Sequence, residues 1–146
     1  MRCVSPVRVS ELVALRWEQI DFGGGTIYIN RLKHGVSSTH PLRGRELRVL
    51  RQLQREYPGS PYLFVSERLT VMAAATARNI IERAGILAGL PLSVHPHMLR
   101  HACGSYLASQ GHDTRAIQAY LGHKNIRYTV RYTELSPWRF KDFWTD

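Results

Sequence analysis

The chain is poor in several things that would settle its class at once. It has two cysteines, Cys3 and Cys103, too few for a disulfide framework or a thiolate metal site, and a reducing cytoplasm is the compartment they suit. No apolar run approaches the length of a membrane span, and the start lacks a signal-peptide pattern. Internal repeats and low-complexity linkers are absent. Gly23-Gly24-Gly25 is not followed by a GK[ST] element, so it reads as a turn rather than a phosphate loop. No glutamate stands between His97 and His101, although their i, i+4 spacing would otherwise suit a metal hydrolase, and Arg100 between them would repel a cation. Neither metal nor cofactor is expected. Negative charge is scarce too, with 11 Asp and Glu against 20 Lys and Arg.

That imbalance leaves a net charge of +9 and a pI near 10.2, carried mostly by arginine. Such an excess points to a polyanion, most often nucleic acid, although a merely structural basic protein would share it. At 146 residues the chain is one domain, 1–146, large enough for its own core.

The stretch from His95 to Thr133 organises the rest. Read as a helix, its first part gathers Leu99, Ala102, Cys103 and Tyr106 on an apolar side. His97, Arg100 and His101 gather opposite, with Gly104 leaving space for a ligand. A guanidinium can grip two phosphate oxygens and an imidazole exchanges protons near neutral pH, so this face suits a phosphate. Most polar helix faces are simply solvated, and the rest of the chain has to decide between the two readings.

Ser10 is expected to cap a short helix through Trp17; Arg8 just before it reads either as an ordinary surface charge or as held beside the helix start with Glu11 as its orienting partner. Ile20 to Asn30 reads as strand, glycine turn, strand. Lys33, His34 and Gly35 form a hairpin tip, and Ser37 to Leu42 returns as a third strand. Arg45 to Tyr57 is an amphipathic helix with Leu47, Val49, Leu50 and Leu53 inward. Tyr62 to Ser66 is a short strand or extended segment. Thr70 should cap a helix to Leu87 whose apolar side is Ile80, Ile81 and Ala84. Asp113 caps a helix ending at Leu121, with Gly122 as its stop. Asn125 caps a last helix carrying Tyr128 and Tyr132. Pro137 to Trp144 forms a small aromatic terminal helix.

Taken in order, Arg8-Val-Ser-Glu-Leu, Lys33 in the hairpin, His97-x-x-Arg100-His101, Leu-Gly-His123 and Tyr132 nine residues later resemble the tyrosine recombinases, or phage integrases. Arg31-Leu-Lys33-His-Gly, His95-Pro-His97-Met-Leu-Arg100-His101-Ala-Cys-Gly and Asn125-Ile-Arg-Tyr-Thr-Val-Arg-Tyr132-Thr look most like the single-domain members that invert a fimbrial promoter. The likeness spans Val7 to Leu135. It implies a mainly α catalytic domain with a small antiparallel three-stranded sheet at Ile20 to Leu42, whose edge carries Lys33 toward the helical body.

The resemblance also implies roles. Arg8 and Arg100 would clamp the non-bridging oxygens of a scissile phosphate in double-stranded DNA. Lys33 would protonate the departing 5′ oxygen, His97 would assist as acid or base, and His123 would hydrogen-bond the phosphate. Tyr132 would attack phosphorus and form a 3′-phosphotyrosyl link. Helical geometry alone admits Tyr128 as well, and the choice of Tyr132 rests on the family spacing. Self-assembly on DNA during synapsis is implied, in a bacterial cytoplasm at the nucleoid. Three departures stand out, the first being that the separate core-binding domain that closes a clamp around DNA in larger members is not expected here. Pro6 occupies the place of a glycine before the first arginine, and the family's helices upstream of that arginine are expected to be missing or shortened. A non-catalytic DNA-binding remnant or regulator of the same family is the alternative.

Overall fold

The computed structural model describes residues 7–136. In chain order these are helix α1 (Val9–Val13), strands β1 (Ile20–Asp21), β2 (Thr26–Ile29) and β3 (Ser38–Pro41), and helices α2 (Gly44–Glu56), α3 (Ala74–Leu87), α4 (Pro96–Ser109), α5 (Thr114–Leu121) and α6 (Arg127–Glu134). The architecture is the expected one: mainly helical, with an antiparallel sheet in the order β1-β2-β3. The terminal helix expected over Pro137 to Trp144 lies outside the described residues.

The sheet follows from alternation. Ile27 and Ile29 are buried while Tyr28 between them is exposed, as period-two side chains on one pleat require. Ile27 faces Ile20 on one side and His40 on the other. The glycine turn is closed by Asp21, whose Oδ1 accepts the Gly24 N–H at 2.9 Å. Ile20, Ile27 and Ile29 join Val7, Leu15 and Leu63 in a first core.

A second core lies among the C-terminal helices. Cys103 and Ala108 of α4 meet Ile117 and Leu121 of α5, with Leu107, Tyr120 and Tyr132 packed around them. Leu121 is fully buried, and truncating such a residue to alanine typically costs about 2–5 kcal/mol. Asp113 caps α5 by accepting the Ala116 N–H at 3.1 Å, and Gly122 ends the helix at φ 71°, both as the sequence suggested.

Several expectations fail, each for a physical reason. Helix α1 is capped at Arg8, not Ser10, because the Glu11 carboxylate accepts the Arg8 N–H at 2.9 Å. It ends at Val13, and Trp17–Gln19 forms a separate 3-10 turn. Helix α3 begins at Ala74, because Thr70 instead shares a 2.8 Å hydrogen bond with Ser66, beside Leu69 in the left-handed region. Its buried positions are Ala77 and Gly85, while Ile80 is half exposed: small residues, not the isoleucine, permit its close packing. Val49 likewise faces solvent at 58% exposure. Asn125 does accept the Arg127 N–H at 3.0 Å, one residue before the cap of α6.

Candidate phosphate-binding active site

The site forms where the two cores are tied together. Glu11, projecting from α1, is 2% exposed. Its carboxylate receives the Arg31 Nη1 at 3.0 Å and the Leu32 N–H at 3.3 Å. Arg31 reaches on to the Tyr120 carbonyl at 2.8 Å, at the end of α5. The Val36 N–H donates to the Gly122 carbonyl at 3.0 Å. The hairpin is thereby fixed to both α1 and the end of α5. Gly122 is needed twice over: its φ is left-handed, and a Cβ there would run into the Arg31 side chain at Nε. Burial pushes the Arg31 pKa down, and the bonded Glu11 carboxylate pulls it back up.

Arg8 is held at the mouth of this knot. Its guanidinium lies 3.5 Å from Glu11 Oε1 and donates to the Leu32 carbonyl at 3.4 Å. Glu11 is therefore the orienting partner the sequence suggested. Arg8 forms part of two clefts. One, of about 340 Å³, is lined with Arg78, His95, His97 and Arg100. The other, of about 700 Å³, is lined with Lys33, Arg115, His123, Lys124 and Tyr128. Val9 and Pro96 also line the first and Ile126 the second, among mostly cationic and polar side chains.

Arg100 departs from expectation. The sequence puts it on the cationic face of α4, opposite the apolar stripe, yet it is only 5% exposed. The packed face of α4 is Arg100, Cys103, Gly104 and Ala108, while Ala102 and Tyr106 are exposed. Arg100 tolerates this because its Nη2 donates to the Leu121 carbonyl at 2.5 Å. Burial first, then the charges of Arg31 and Arg8, lower its pKa to about 10, which leaves it charged at neutral pH.

His123 follows Gly122. Its Nδ1 lies 2.8 Å from Oγ1 of the fully buried Thr129. Burial and the neighbouring Arg100 and Arg8 depress its pKa to about 4, so its ring is neutral. Lys33 and His34 occupy the hairpin tip with φ of 52° and 64°.

Tyr132 and Tyr128 are separated by their surroundings. Tyr128 is 60% exposed, with its ring against His123 and the larger cleft. Tyr132 is half-buried, its ring lying on Gly104. A Cβ on Gly104 would meet that ring at 2.6 Å, so the space expected there for a ligand belongs to Tyr132. The Tyr132 hydroxyl lies 2.6 Å from His101 Nδ1, and His101 Nε2 lies 2.8 Å from His97 Nε2. Burial pushes the Tyr132 phenol above its ordinary value, against the pull of Arg100.

The structure thus brings Arg8, His97 and Arg100 to one cleft and Arg8, Lys33 and His123 to another. It packs Tyr132 of α6 against Gly104 of the Arg100 helix α4, on the wall of neither cleft. Sequence reasoning gave no role to Arg31, and none to Thr129. Arg31 stood within a quoted motif, but a buried cation leaves no mark in an apolar pattern. Among the described residues no three His, Cys, Asp or Glu side chains converge as a metal donor set.

The chain thus joins a helical body and a small sheet to a cleft bordered by arginines, with a tyrosine on the adjoining helix. Residues 4–139 match the Phage integrase family, and the chain belongs to that family. It is 44% identical over 144 residues to the type 1 fimbriae regulatory protein FimE of Escherichia coli (strain K12), covering 94% of this chain and 73% of that protein. Among solved structures, XerA recombinase superposes with a TM-score of 0.78 at 27% identity, over 94% of this chain and 52% of that one. XerH site-specific recombinase, bound to a palindromic difH substrate in a post-cleavage complex, superposes at 0.79 and 23% identity, over 97% and 42%. In the last case the likeness is one of fold. No helix among the described residues is long and apolar enough to cross a membrane.

Proposed function

We propose that residues 1–146 form the catalytic domain of a site-specific DNA recombinase that cuts and rejoins duplex DNA through a 3′-phosphotyrosine. The observation that carries this is the placing of Arg8 and Arg100 around one cleft, with the Tyr132 hydroxyl in a hydrogen-bonded chain that ends at His97 of the same cleft. Arg8 and Arg100 bind the non-bridging phosphate oxygens. Lys33, at the strained hairpin tip, gives a proton to the departing 5′ oxygen. His123, neutral and held by Thr129, serves the phosphate as a hydrogen-bonding group. Tyr132 is the nucleophile. The phosphotyrosyl ester conserves the energy of the original phosphodiester, so resealing needs no ATP. Arginines concentrate the positive charge where the transition state gathers negative charge.

The net +9 charge supports double-stranded DNA as partner, and self-assembly on that DNA follows from the need to pair two sites. The likeness to FimE supports inversion of a fimbrial promoter element, in a bacterial cytoplasm at the nucleoid.

The test is a nicked suicide duplex that traps the covalent protein–DNA adduct. The chain forms the adduct, in the presence of EDTA as well. Tyr132→Phe abolishes it while leaving DNA binding intact, and Tyr128→Phe preserves it. Adduct lost with Tyr128→Phe but kept with Tyr132→Phe would reverse the assignment. DNA binding that weakens steeply with salt, but with no adduct from the unaltered chain, would make it a binding regulator instead.

A further inference from the structure

The hydrogen bonds around Tyr132 do not end at its hydroxyl. His101 and His97 stand one turn apart on α4, their rings edge to face with centroids 4.3 Å apart. Gly104, on the next turn, leaves room for the Tyr132 ring, so the phenol reaches back along the same side of the helix. The result is a wire of three groups: Tyr132 Oη to His101 Nδ1 at 2.6 Å, and His101 Nε2 to His97 Nε2 at 2.8 Å. His97 then opens on the cleft of Arg8 and Arg100.

Resting on the reading above, we propose that His101 is the catalytic base for Tyr132, passing the proton on to His97. The family resemblance gave the departing oxygen its proton from Lys33 and further acid or base work to His97, with no role for His101. Here His97 does not touch the nucleophile, and His101 does.

The protons balance. The Tyr132 Oη–phosphorus bond forms as the bond from phosphorus to the 5′ oxygen breaks. The phenolic proton moves to His101 Nδ1, and the His101 Nε2 proton moves to His97 Nε2. The departing oxygen takes its proton from Lys33. In rejoining, the 5′ hydroxyl attacks phosphorus and returns its proton to the neutral Lys33 amine, the Tyr132 oxygen leaves, and the wire runs backward to reprotonate it.

The surroundings favour this direction. His101 faces His97 and Arg100 on its own helix, Arg131 and Tyr132 on α6, and His123 before α6. Burial and then the charges of His97, Arg100 and Arg131 lower its pKa, so its ring is neutral at pH 7 with a lone pair to offer. The raised pKa of Tyr132 means that the phenol does not ionise without a base. The relay also moves the new positive charge outward to exposed His97, where water solvates it.

Single-turnover adduct formation on a nicked duplex, from about pH 5 to about pH 9, tests the relay. With the unaltered chain the rate should rise as His101 loses its proton and then level off below neutrality. His101→Phe keeps a ring but has no nitrogen. It should slow the step by about 10²-fold or more, with a rate that climbs through the whole range as the phenol itself ionises. His101→Gly should be restored in part by added imidazole. His97→Gln, which leaves the base but stops its discharge, should cost roughly tenfold and keep the plateau. A His101→Phe rate within about twofold of the unaltered chain, with the same pH profile, would overturn the proposal. So would His101→Gly that binds DNA yet ignores imidazole.

If the unaltered chain forms no adduct, the recombinase reading fails but the relay is still open to measurement. Nitrogen-15 NMR of the full chain should then show His101 protonated at Nε2 and bare at Nδ1, with Nδ1 shifting in Tyr132→Phe. A proton on Nδ1, or no response to Tyr132→Phe, overturns it.

Discussion

The hairpin side of the site and the nucleophile side are built on opposite principles. At the hairpin, charge is taken inside: the Glu11 and Arg31 side chains are each 1% exposed and meet at 3.0 Å. Beside Tyr132, two imidazoles, His97 and His101, stand exposed. A buried ion pair loses so much hydration that only one arrangement of partners compensates it, so it holds a shape. An exposed imidazole gains and loses a proton easily, so it reacts. Holding and reacting are thus assigned to different walls. Arg100 belongs to both, buried like Arg31 yet on the helix that carries the histidines.

The largest break in this contrast comes from Glu11→Gln. It keeps the shape and removes the anion, leaving Arg31 buried beside a neutral amide. Stability to urea should fall by about 3–5 kcal/mol, the usual result of orphaning one member of a buried pair. A loss under about 1 kcal/mol would mean that the Tyr120 carbonyl suffices for Arg31. Arg100→Lys keeps the charge but not the two-pronged donor. Adduct formation should drop by about 10²–10³-fold while DNA affinity changes much less. An equal loss in both measurements would place Arg100 in ground-state binding only.

Gly104→Val attacks the other wall, because its Cβ would fall within 2.8 Å of three atoms of the Tyr132 ring. The ring has to move, and adduct formation should slow by about tenfold or more at undiminished DNA affinity. The smallest effect sharpens the contrast. His123 titrates near 4 when folded, against an ordinary value of 6.5. The unfolded chain therefore binds the proton first, so this stability is complete above pH 6.5 and is lost as pH falls toward 4. Urea midpoints across that window should decline, and His123→Gln should flatten part of the decline.

The same division explains what could be read beforehand. The three strands, the Asp113 cap and the Gly122 stop were legible because alternation and capping are local. The family resemblance named the candidate site residues, and of the two readings open for Arg8, a free surface charge or a partner of Glu11, the structure has the second. Burial of Arg31 and Arg100 was hidden, since each is buried through a carbonyl more than 20 residues away in sequence. The inward face of α3 was misjudged because Ala77 and Gly85 pack by being small, which hydrophobicity does not register. Tyr132 and Tyr128 could not be separated by helical position. The missing term was Gly104, on a different helix.

Lys33 and His34 show what the hairpin gives up. Both sit in the left-handed region that a tight two-residue turn demands, where asparagine followed by glycine would be most at ease. An ordinary L-residue there costs roughly 1–2 kcal/mol. Anyone redesigning the chain for thermal endurance would rewrite these two positions first, and would thereby delete the lysine. On the role proposed for Lys33, a scaffold stabilised in this way keeps its fold and loses its proton donor. Selection for durability alone would drive the hairpin toward silence.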